Sequence, residues 1–401
     1  MIPLDEAQAH VLARCSALDP VTVPVRGARG LVTAEAVASP GLIPPFANTA
    51  VDGFAVRAAD LAGATEAAPA RLRVAGTIAA GDAPHTPVLP GEAVRIMTGA
   101  PLPDGADAIA MVEWSSIDGD DVLIDREVAV GDAVRGAGED LRPGDLVFEA
   151  GVELSPGHLG VLASIGHYEV AVVRRPRVGV FSTGDELVDG PGELAPGQIR
   201  DANRYSLLAL VERDGFEAVD LGLIRDDEAA IEAALQAGVA DCDAVLTSGG
   251  VSMGDYDYVK AVLDRIGDMR WMQVAIKPAK PLAFGLIGSV PVFGLPGNPV
   301  SSMVSYELFA RPSLRKMMGH TVLHRRRLTG RAGRPWPRRP DGKTHFVRAL
   351  VDLVDGVWEV SSAGGQGSHQ LTAMAGADAL AVLGDGDGLE TVEPMEFFFV
   401  D

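Results

Sequence analysis

One glycine-rich stretch combines residue types that bind phosphate with residue types that bind metal. It follows the short apolar run 244–246 and contains Ser248, Gly249, Gly250, Asp255 and Asp257. Glycine permits positive φ and close backbone approach, and amide groups at such a turn attract anions. Carboxylates beside backbone donors suit a phosphate with bound Mg²⁺. A tight strand–helix turn with a solvated acidic edge is the alternative interpretation of these residues.

Three other polar loops stand at the ends of predicted strands. They are TGDE at 183–186, KPAK at 277–280 and PGNP at 296–299. In a doubly wound sheet, ligands bind where the loops after the strands meet. The loops would then bring Asp185 and Glu186 into one cleft with Lys277 and Lys280. Both lysines can reach one anion as point charges, although a solvated strand end is the more frequent situation for a lysine pair.

The region that holds these loops alternates apolar strands with amphipathic helices. After a strand at 177–182, the pattern predicts strands at 218–223, 244–246, 272–276, 282–287 and 292–295. It predicts helices over 204–213, 226–236 and 256–267, and a long helix from Pro299 to about Met318 with Asn298 as its cap. Strands that alternate with helices indicate a mainly parallel, doubly wound sheet.

The remaining segments predict smaller units. The apolar spacing indicates a helix from Leu4 to Leu18, and Ser155 followed by Pro156 indicates the start of another. Residues 46–140 hold short strand-like runs between glycines and prolines, which predicts a mostly β domain. Asp52 and Thr98 lie in turns of that domain, where each alone would be ordinary turn chemistry.

The C-terminal part is predicted to be a small β domain. Seven arginines between 325 and 339 are expected to form a linker or first strand with a mostly solvated basic face. Strand-like runs on both sides of Asp355-Gly356 predict a hairpin, and 379–383 and 397–400 predict further strands.

Composition limits the classes of function. The chain has 401 residues, 47% of them hydrophobic, so two to four packed domains are expected. A net charge of −21 disfavours nonspecific binding to nucleic acid. Two cysteines cannot form a disulfide framework, and the eight histidines lack HExxH-type spacing. No apolar run reaches membrane-spanning length, and residues 1–15 lack a signal-peptide core, so a cytoplasmic enzyme is expected.

The motifs together resemble those of the MoeA family, the molybdopterin molybdenumtransferases, which also includes the E domain of gephyrin. PPFANTAVDGFAV is similar to the family's PPFDNSAMDGYAV, and RIMTGAPLPDGADAI, GEDL, TGDEL, SGGVSMGDYDY, IKPAKP and GLPGNPVS follow in the family's order. Ala47, Ala202 and Ala279 depart from the Asp, Ser and Gly that are common at those positions.

The resemblance implies an α/β multidomain protein that forms an elongated homodimer. The implied domains are 1–45 with 141–175, a discontinuous linker and dimerisation domain; 46–140, mostly β; 176–324, a doubly wound molybdopterin-binding-like domain; and 325–401, a small C-terminal β domain. The implied reaction is Mg²⁺-dependent. It inserts molybdate into adenylylated molybdopterin and releases AMP.

The resemblance also implies roles for individual residues. Glu186, Asp226 and Asp257 are candidate metal ligands. Ser248, Gly249, Gly250, Asp255, Pro296 and Pro299 are candidate substrate-binding residues. The candidate catalytic residues are Asp52, Thr98, Asp140, Glu186, Lys277 and Lys280. The first three of these are expected to face the active-site cleft of the partner subunit.

Two other functions remain open at this point. A molybdopterin adenylyltransferase, which acts one step earlier with ATP, would use the same doubly wound domain. A gephyrin-like scaffold is the alternative from another class, although no long linker to a fused domain is visible. The adenylyltransferase and apo-molybdoenzymes are the expected partners, and neither nucleic acid nor membrane is expected.

Overall fold

The computed structural model describes residues 1–250 and 258–400. The candidate site residues Asp255 and Asp257 lie outside the described residues. None of the helices in the described ranges is both long and apolar enough to cross a membrane.

The N-terminal helix is shorter than the sequence predicts. It spans Leu4–Ala13 rather than continuing to Leu18. The chain leaves the helix after Arg14, and the amide of Leu18 donates instead to the carbonyl oxygen of Met317 (2.8 Å). A tertiary hydrogen bond thus replaces the last predicted turn, although Cys15 remains buried on the apolar stripe.

Strands from two distant segments pair next to this helix. Pro20–Pro24 and Val32–Thr33 both pair with Glu169–Val173, and Val37–Ala38 pairs with Leu146–Phe148. The predicted helix start at Ser155 is confirmed. Its helix spans Pro156–Ser164, and the side chains of Ser155 and His158 form a reciprocal capping box. The pairing joins the two segments, while the domain limits themselves stay a prediction.

A six-stranded mixed sheet forms the mostly β region. In spatial order its strands are Ala108–Met111, Gly53–Val56, Glu92–Ile96, Ala70–Ile78, Asp121–Ile124 and Ser115–Asp118. Successive side chains of one strand enter two separate apolar clusters, with Phe54 in one and Ala55 in the other. Asn48–Thr49 pairs with Val134–Arg135 beside this sheet.

A second six-stranded sheet forms the α/β region. Its order is Glu217–Ile224, Arg177–Thr183, Ala244–Ser248, Val290–Leu295, Pro281–Ile287 and Asp268–Gln273. The first four strands are parallel, as predicted. Pro281–Ile287 runs antiparallel to both of its neighbours, so Asp268–Gln273 again has the direction of the first four. Pro281–Ile287 is antiparallel to Val290–Leu295 because only Gly288 and Ser289 connect them, and a loop of two residues makes a hairpin. The helices of this region are Asn203–Arg213, Glu228–Asp241 and Tyr258–Ile266.

The long helix that follows PGNP contains a π-helical turn, which the sequence interpretation missed. It consists of Pro299–Ser305, the π turn Tyr306–Ala310, and Arg311–Met317. Pro312 has no N–H, so the carbonyl of Leu308 lacks its helical donor, and Gln8 Nε2 supplies one at 2.9 Å. Asn298 occupies the cap position, but its side chain makes no capping hydrogen bond.

The C-terminal region is a small closed barrel. Its strands are Leu328–Ala332, Thr344–Val354, Val357–Ser362, Ala379–Leu383 and Pro394–Phe399. The hairpin at Asp355-Gly356 is confirmed, with φ of 52° and 78° at the two turn residues. A sixth strand, Ile276–Lys277, comes from the α/β region and pairs in parallel with Thr344 and His345. The predicted strand 272–276 therefore divides between two sheets.

The arginine-rich segment is mostly solvated, as predicted, since four of its seven arginines are exposed and the other three are half-buried. The prediction did not include its ion pairs. Four of its seven arginines pair with carboxylates. The pairs are Arg325–Glu307, Arg327–Glu396, Arg331–Glu359 and Arg338 with Asp341 and Asp385. The segment is thereby attached to both the long helix and the barrel.

Candidate active site

Asp52 and Thr98 form a pair at one end of the mostly β sheet. Asp52 Oδ1 accepts hydrogen bonds from the backbone N–H and the hydroxyl of Thr98, both at 2.7 Å. The backbone bond first and the hydroxyl bond second lower the pKa of the Asp52 carboxyl below its ordinary value. The structure therefore presents an exposed, ionised carboxylate held in a fixed orientation.

Among the described residues, no hydrogen bond or ion pair joins Asp140 to that pair. Asp140 is exposed, and its amide donates to the carbonyl oxygen of Ile43 (2.9 Å). Ile43 also forms an antiparallel β-bridge with Leu141. Within residues 1–250 and 258–400, no hydrogen bond or ion pair joins Asp140, Asp52 or Thr98 to the loops of the α/β region.

The TGDE loop contacts the turn that precedes the helix Glu228–Asp241. The hydroxyl of Thr183 donates to Asp226 Oδ1 (2.5 Å), and the amide of Asp226 donates weakly to Asp185 Oδ1 (3.4 Å). The carboxylate of Glu186 folds back over Gly184, since a Cβ added to that glycine would lie 2.6 Å from Glu186 Oε2. Three carboxylates therefore surround the turn after the strand Arg177–Thr183.

The SGG loop lies directly beside TGDE. Ser248 is buried at the end of its strand, and Gly249 and Gly250 have φ of 100° and 67°. A Cβ on Gly249 would lie 2.8 Å from the carbonyl oxygen of Thr183, so only glycine fits there. The Gly249 amide donates to Leu295 O (3.1 Å), so this N–H is already used within the protein.

Asn203 links SGG to PGNP, and the sequence interpretation missed it. Its Nδ2 donates to Ser248 Oγ (2.8 Å) and to the carbonyl oxygen of Gly297 (2.7 Å). Pro296 is buried beside this contact, and Pro299 begins the helix. The sequence feature that could have indicated Asn203 is its position as the first residue of a helix. That helix starts at the edge of the sheet where the loops of the candidate site lie.

The two lysines flank a tight turn next to the barrel. Both are exposed, and the buried residue between them, Ala279, has φ of 70°. That left-handed conformation explains why glycine is common at this position. Lys277 is in the strand next to His345, and the nearby positive charge of Lys277 adds to burial in lowering the pKa of His345.

Arg348 is a second residue that sequence analysis missed. It is fully buried, its Nη2 donates to Gly365 O (2.6 Å) and Gly367 O (3.1 Å), and burial lowers its pKa. Among the described residues no carboxylate pairs with it. It supports a loop that reaches PGNP, since Ser368 O accepts from the amide of Val300 (3.1 Å). The sequence feature that could have indicated its burial is its position two residues after the apolar Phe346 in a strand, which places both side chains on the same, inward face.

No metal cluster is complete in the described ranges, where no three His, Cys, Asp or Glu side chains come together as a ligand set. Glu186 and Asp226 supply carboxylate oxygens on neighbouring loops. Magnesium is commonly held by one or two carboxylates together with substrate phosphates. The two described residues fit that chemistry, and the third candidate ligand, Asp257, lies outside the described residues.

Comparison with known proteins gives full-length matches. The chain is 40% identical over 388 residues to molybdopterin molybdenumtransferase 2 of Mycobacterium tuberculosis, covering 95% of each chain. It is 38% identical over 387 residues to the molybdopterin molybdenumtransferase of Haemophilus influenzae, covering 96% of this chain and 94% of that one. The chain belongs to the MoeA family.

Family models assign each part of this MoeA-family chain. The MoeA N-terminal region (domain I and II) matches residues 2–166, a probable molybdopterin binding domain matches 179–316, and the MoeA C-terminal region (domain IV) matches 329–395. The first range includes the Asp52–Thr98 pair. The second includes all four loops, and the third includes Arg348.

A solved MoeA structure has the same overall architecture. The crystal structure of the molybdopterin biosynthesis MoeA protein from Pyrococcus horikoshii OT3 superposes with a TM-score of 0.85 at 29% identity, covering 100% of both chains. The similarity extends over every domain of the chain, the C-terminal barrel included.

Proposed function

We propose that the protein is a molybdopterin molybdenumtransferase of molybdenum cofactor biosynthesis, which inserts molybdate into adenylylated molybdopterin and releases AMP. Curated relatives up to 40% identical have that name. One structural observation supports the proposal most directly. The TGDE, SGG and PGNP loops touch one another at the carboxyl ends of the parallel strands, where α/β sheets bind ligands.

The SGG loop is the proposed site for the substrate's phosphates. Gly249 leaves space that a side chain would fill, and Gly250 has a left-handed conformation that favours glycine. Ser248 is held by Asn203, so its position is fixed before substrate arrives. A loop of this kind allows a phosphate to approach the backbone closely.

Lys277 and Lys280, with Pro296 and Pro299, are the proposed molybdate region. Molybdate is a dianion, so two exposed ammonium groups on one short turn would attract it. The prolines shape the neighbouring loop, with Pro296 buried and Pro299 fixing the start of the helix.

The overall reaction needs no oxidant or reductant. Two thiol hydrogens and one molybdate oxygen leave as water when the two sulfur–molybdenum bonds form. One water adds across the phosphoanhydride, whose P–O bond breaks to release AMP. The protein's contribution is to orient the two anions and stabilise developing charge, which requires no side-chain nucleophile.

Magnesium is proposed as the metal, with Glu186 and Asp226 as described ligands and Asp257 as a third. When bound, Mg²⁺ would neutralise charge on the phosphoanhydride. The affinity of the protein for Mg²⁺ in the presence of the adenylylated pterin can be measured without turnover by calorimetric titration. Asp226→Asn should weaken that binding, whereas Asp227→Asn, at the adjacent helix cap, should not change the affinity.

We propose that the protein is a homodimer in which Asp52, Thr98 and Asp140 of one subunit face the active-site cleft of the other. Support comes from the absence of any hydrogen bond or ion pair, in the described ranges, between these three residues and the α/β loops of the same chain. Mixing Asp52→Asn and Gly249→Ala proteins, each expected to be inactive alone, should restore activity, since one cleft in each hybrid dimer would be intact. If subunits demonstrably exchange and activity stays absent, the shared cleft is wrong.

The decisive experiment measures AMP against a molybdate series, with adenylylated molybdopterin, Mg²⁺ and no ATP. AMP release should require molybdate and should yield a cofactor that activates an apo-molybdoenzyme. Lys277→Ala should raise the half-saturating molybdate concentration about tenfold, the effect of one charged hydrogen bond. Arg265→Gln, which removes a positive charge in the last turn of the helix Tyr258–Ile266, should leave that concentration unchanged.

The same experiment distinguishes the two rival functions. Without ATP, a molybdopterin adenylyltransferase would leave the adenylylated pterin unconverted, and a scaffold would release no AMP. In a parallel sample with ATP and molybdopterin, only the adenylyltransferase would consume ATP and accumulate the adenylylated pterin. Equal AMP at zero and saturating molybdate, without active cofactor, would refute metal insertion. A cytoplasmic location is proposed for the enzyme, with the adenylyltransferase and apo-molybdoenzymes as its partners.

A further inference from the structure

The side chain of Asn203 joins two loops of the candidate site. Nδ2 donates to Ser248 Oγ at 2.8 Å and to Gly297 O at 2.7 Å. The carbonyl oxygen of Gly297 can only accept, so the nitrogen of the amide must face it. One NH₂ group therefore uses both of its hydrogens to bridge two separate loops.

The bridged loops are adjacent along the sheet edge. Ser248 pairs with Leu295 in the parallel register, and a Cβ on Gly297 would lie 3.8 Å from the Cα of Gly249. In the proposed function, one of these loops contacts the substrate's phosphates and the other borders molybdate. Asn203 is thus the side chain that connects the two anion sites.

The residues next to Asn203 are anchored in a network of hydrogen bonds and ion pairs. The neighbouring Asp201 is buried and accepts from the hydroxyl of Ser182 (3.0 Å), the amide of Arg204 (3.2 Å) and Arg204 Nε (2.9 Å). Arg204, also buried, reaches two further carboxylates, Asp189 and Asp220. This network fixes the backbone at Asn203. Asn203 Oδ1 is buried without a hydrogen-bond partner among the described residues, so the two Nδ2 contacts alone orient the amide group.

We propose that Asn203 is a positioning residue that couples molybdate occupancy beside PGNP to cleavage of the phosphoanhydride at SGG. This inference rests on the proposed function. A shift of Gly297 when molybdate binds moves the Asn203 amide, and Ser248 moves with it because the same NH₂ group holds both. The phosphate loop then reaches its productive position only when both substrates are present.

The test uses Asn203→Asp, which preserves the shape but places carboxylate oxygens against Ser248 and Gly297. The ratio of AMP release at saturating molybdate to release without molybdate should fall about tenfold, because the carboxylate cannot donate to Gly297 O and the bridge is broken there, although the Ser248 hydroxyl can still donate to it. The affinity for adenylylated molybdopterin should stay within about twofold, because Asn203 is argued to act through the loops rather than on the substrate. Glu212→Gln, exposed on the same helix, is the control and should match wild type.

A second variant keeps the proposal open to refutation if Asn203→Asp does not fold. Ser248→Ala removes one of the two acceptors and should lower the same ratio, and the double variant should be no worse than Asn203→Asp alone. Wild-type ratios in both single variants, or fully additive losses, overturn the coupling. If wild-type protein itself shows no molybdate-dependent AMP release, the proposed function fails. If wild type responds and the variants respond equally, only the coupling fails.

Discussion

Glu307 offers the sharpest test of how the long helix is fixed beneath the site. Its side chain is 1% exposed and lies in the π turn. Oε1 accepts from Arg213 Nη2 (2.5 Å) and Arg325 Nη2 (3.2 Å), and Oε2 accepts from Arg325 Nε (2.9 Å). Arg213 is in the helix that begins at Asn203, so this carboxylate connects that helix to the one that begins at PGNP.

Glu307→Gln keeps the shape and removes the charge. Three charge-assisted hydrogen bonds of about 1.5–3 kcal/mol each are affected, and the glutamine oxygen can retain part of them. The NH₂ group of the glutamine would lie against the guanidinium groups of Arg213 and Arg325 in a buried environment, where donor faces donor. Breaking a buried ion pair from one side typically costs about 3–5 kcal/mol, which for a chain of 401 residues corresponds to a fall in Tm of roughly 5 °C.

Urea unfolding followed by circular dichroism measures this loss of free energy. Glu228→Gln is the matched control, because its carboxylate pairs with Arg265 at 2.9 Å but both side chains are 47% exposed. The control should lose less than about 1 kcal/mol. Equal, small losses in both variants would show that the buried cluster does not fix the helix, and the argument from burial would be refuted.

Three further predictions concern pH, backbone and site. Burial, with nearby arginines, lowers the pKa of His320 from 6.5 to about 4. The stabilisation of the fold by the neutral imidazole is therefore complete above pH 6.5 and is lost as pH falls towards 4. His320→Gln should remove roughly 3 kcal/mol from the pH dependence of the free energy of unfolding over that range. Gly249→Ala should lower the free energy of unfolding in urea by about 2 kcal/mol and abolish AMP release. Gly215 is the control, because it has φ of 84° but no atom within 4 Å of an added Cβ. Gly215→Ala should lower the free energy of unfolding by about half as much and leave activity intact. Thr98→Val removes the hydroxyl bond and should raise the Asp52 pKa towards its ordinary value in a carboxyl NMR titration, and an unchanged titration would contradict the assigned bond.

Features set by local chemistry could be predicted from the sequence. Asp355-Gly356 supplies the left-handed residues that a two-residue hairpin needs, and Ser155-Pro156 supplies a capped helix start. The four loops were placed at strand ends because apolar runs stop at them. The structure brings three of these loops into contact and sets the lysine turn against the barrel.

Features that depend on distant partners could not be predicted. The N-terminal helix ends at Ala13 because Leu18 bonds to a residue about three hundred positions away. The π turn requires Gln8 to satisfy a carbonyl that Pro312 leaves without a donor. Asn203 has no local signature, since its role depends on two loops that only the folded sheet places side by side. Periodicity contains none of this information.

The strand Ile276–Lys277 determines how this protein can be recombined. It leaves the α/β region, pairs with Thr344 and His345 of the barrel, and returns through Lys280 to the strand Pro281–Ile287. A chimaera that exchanged only residues 328–399 with a relative would give this lysine strand a new neighbour. Exchange of the barrel alone should therefore alter molybdate affinity, and a crossover that keeps 276–280 with its native barrel should preserve it.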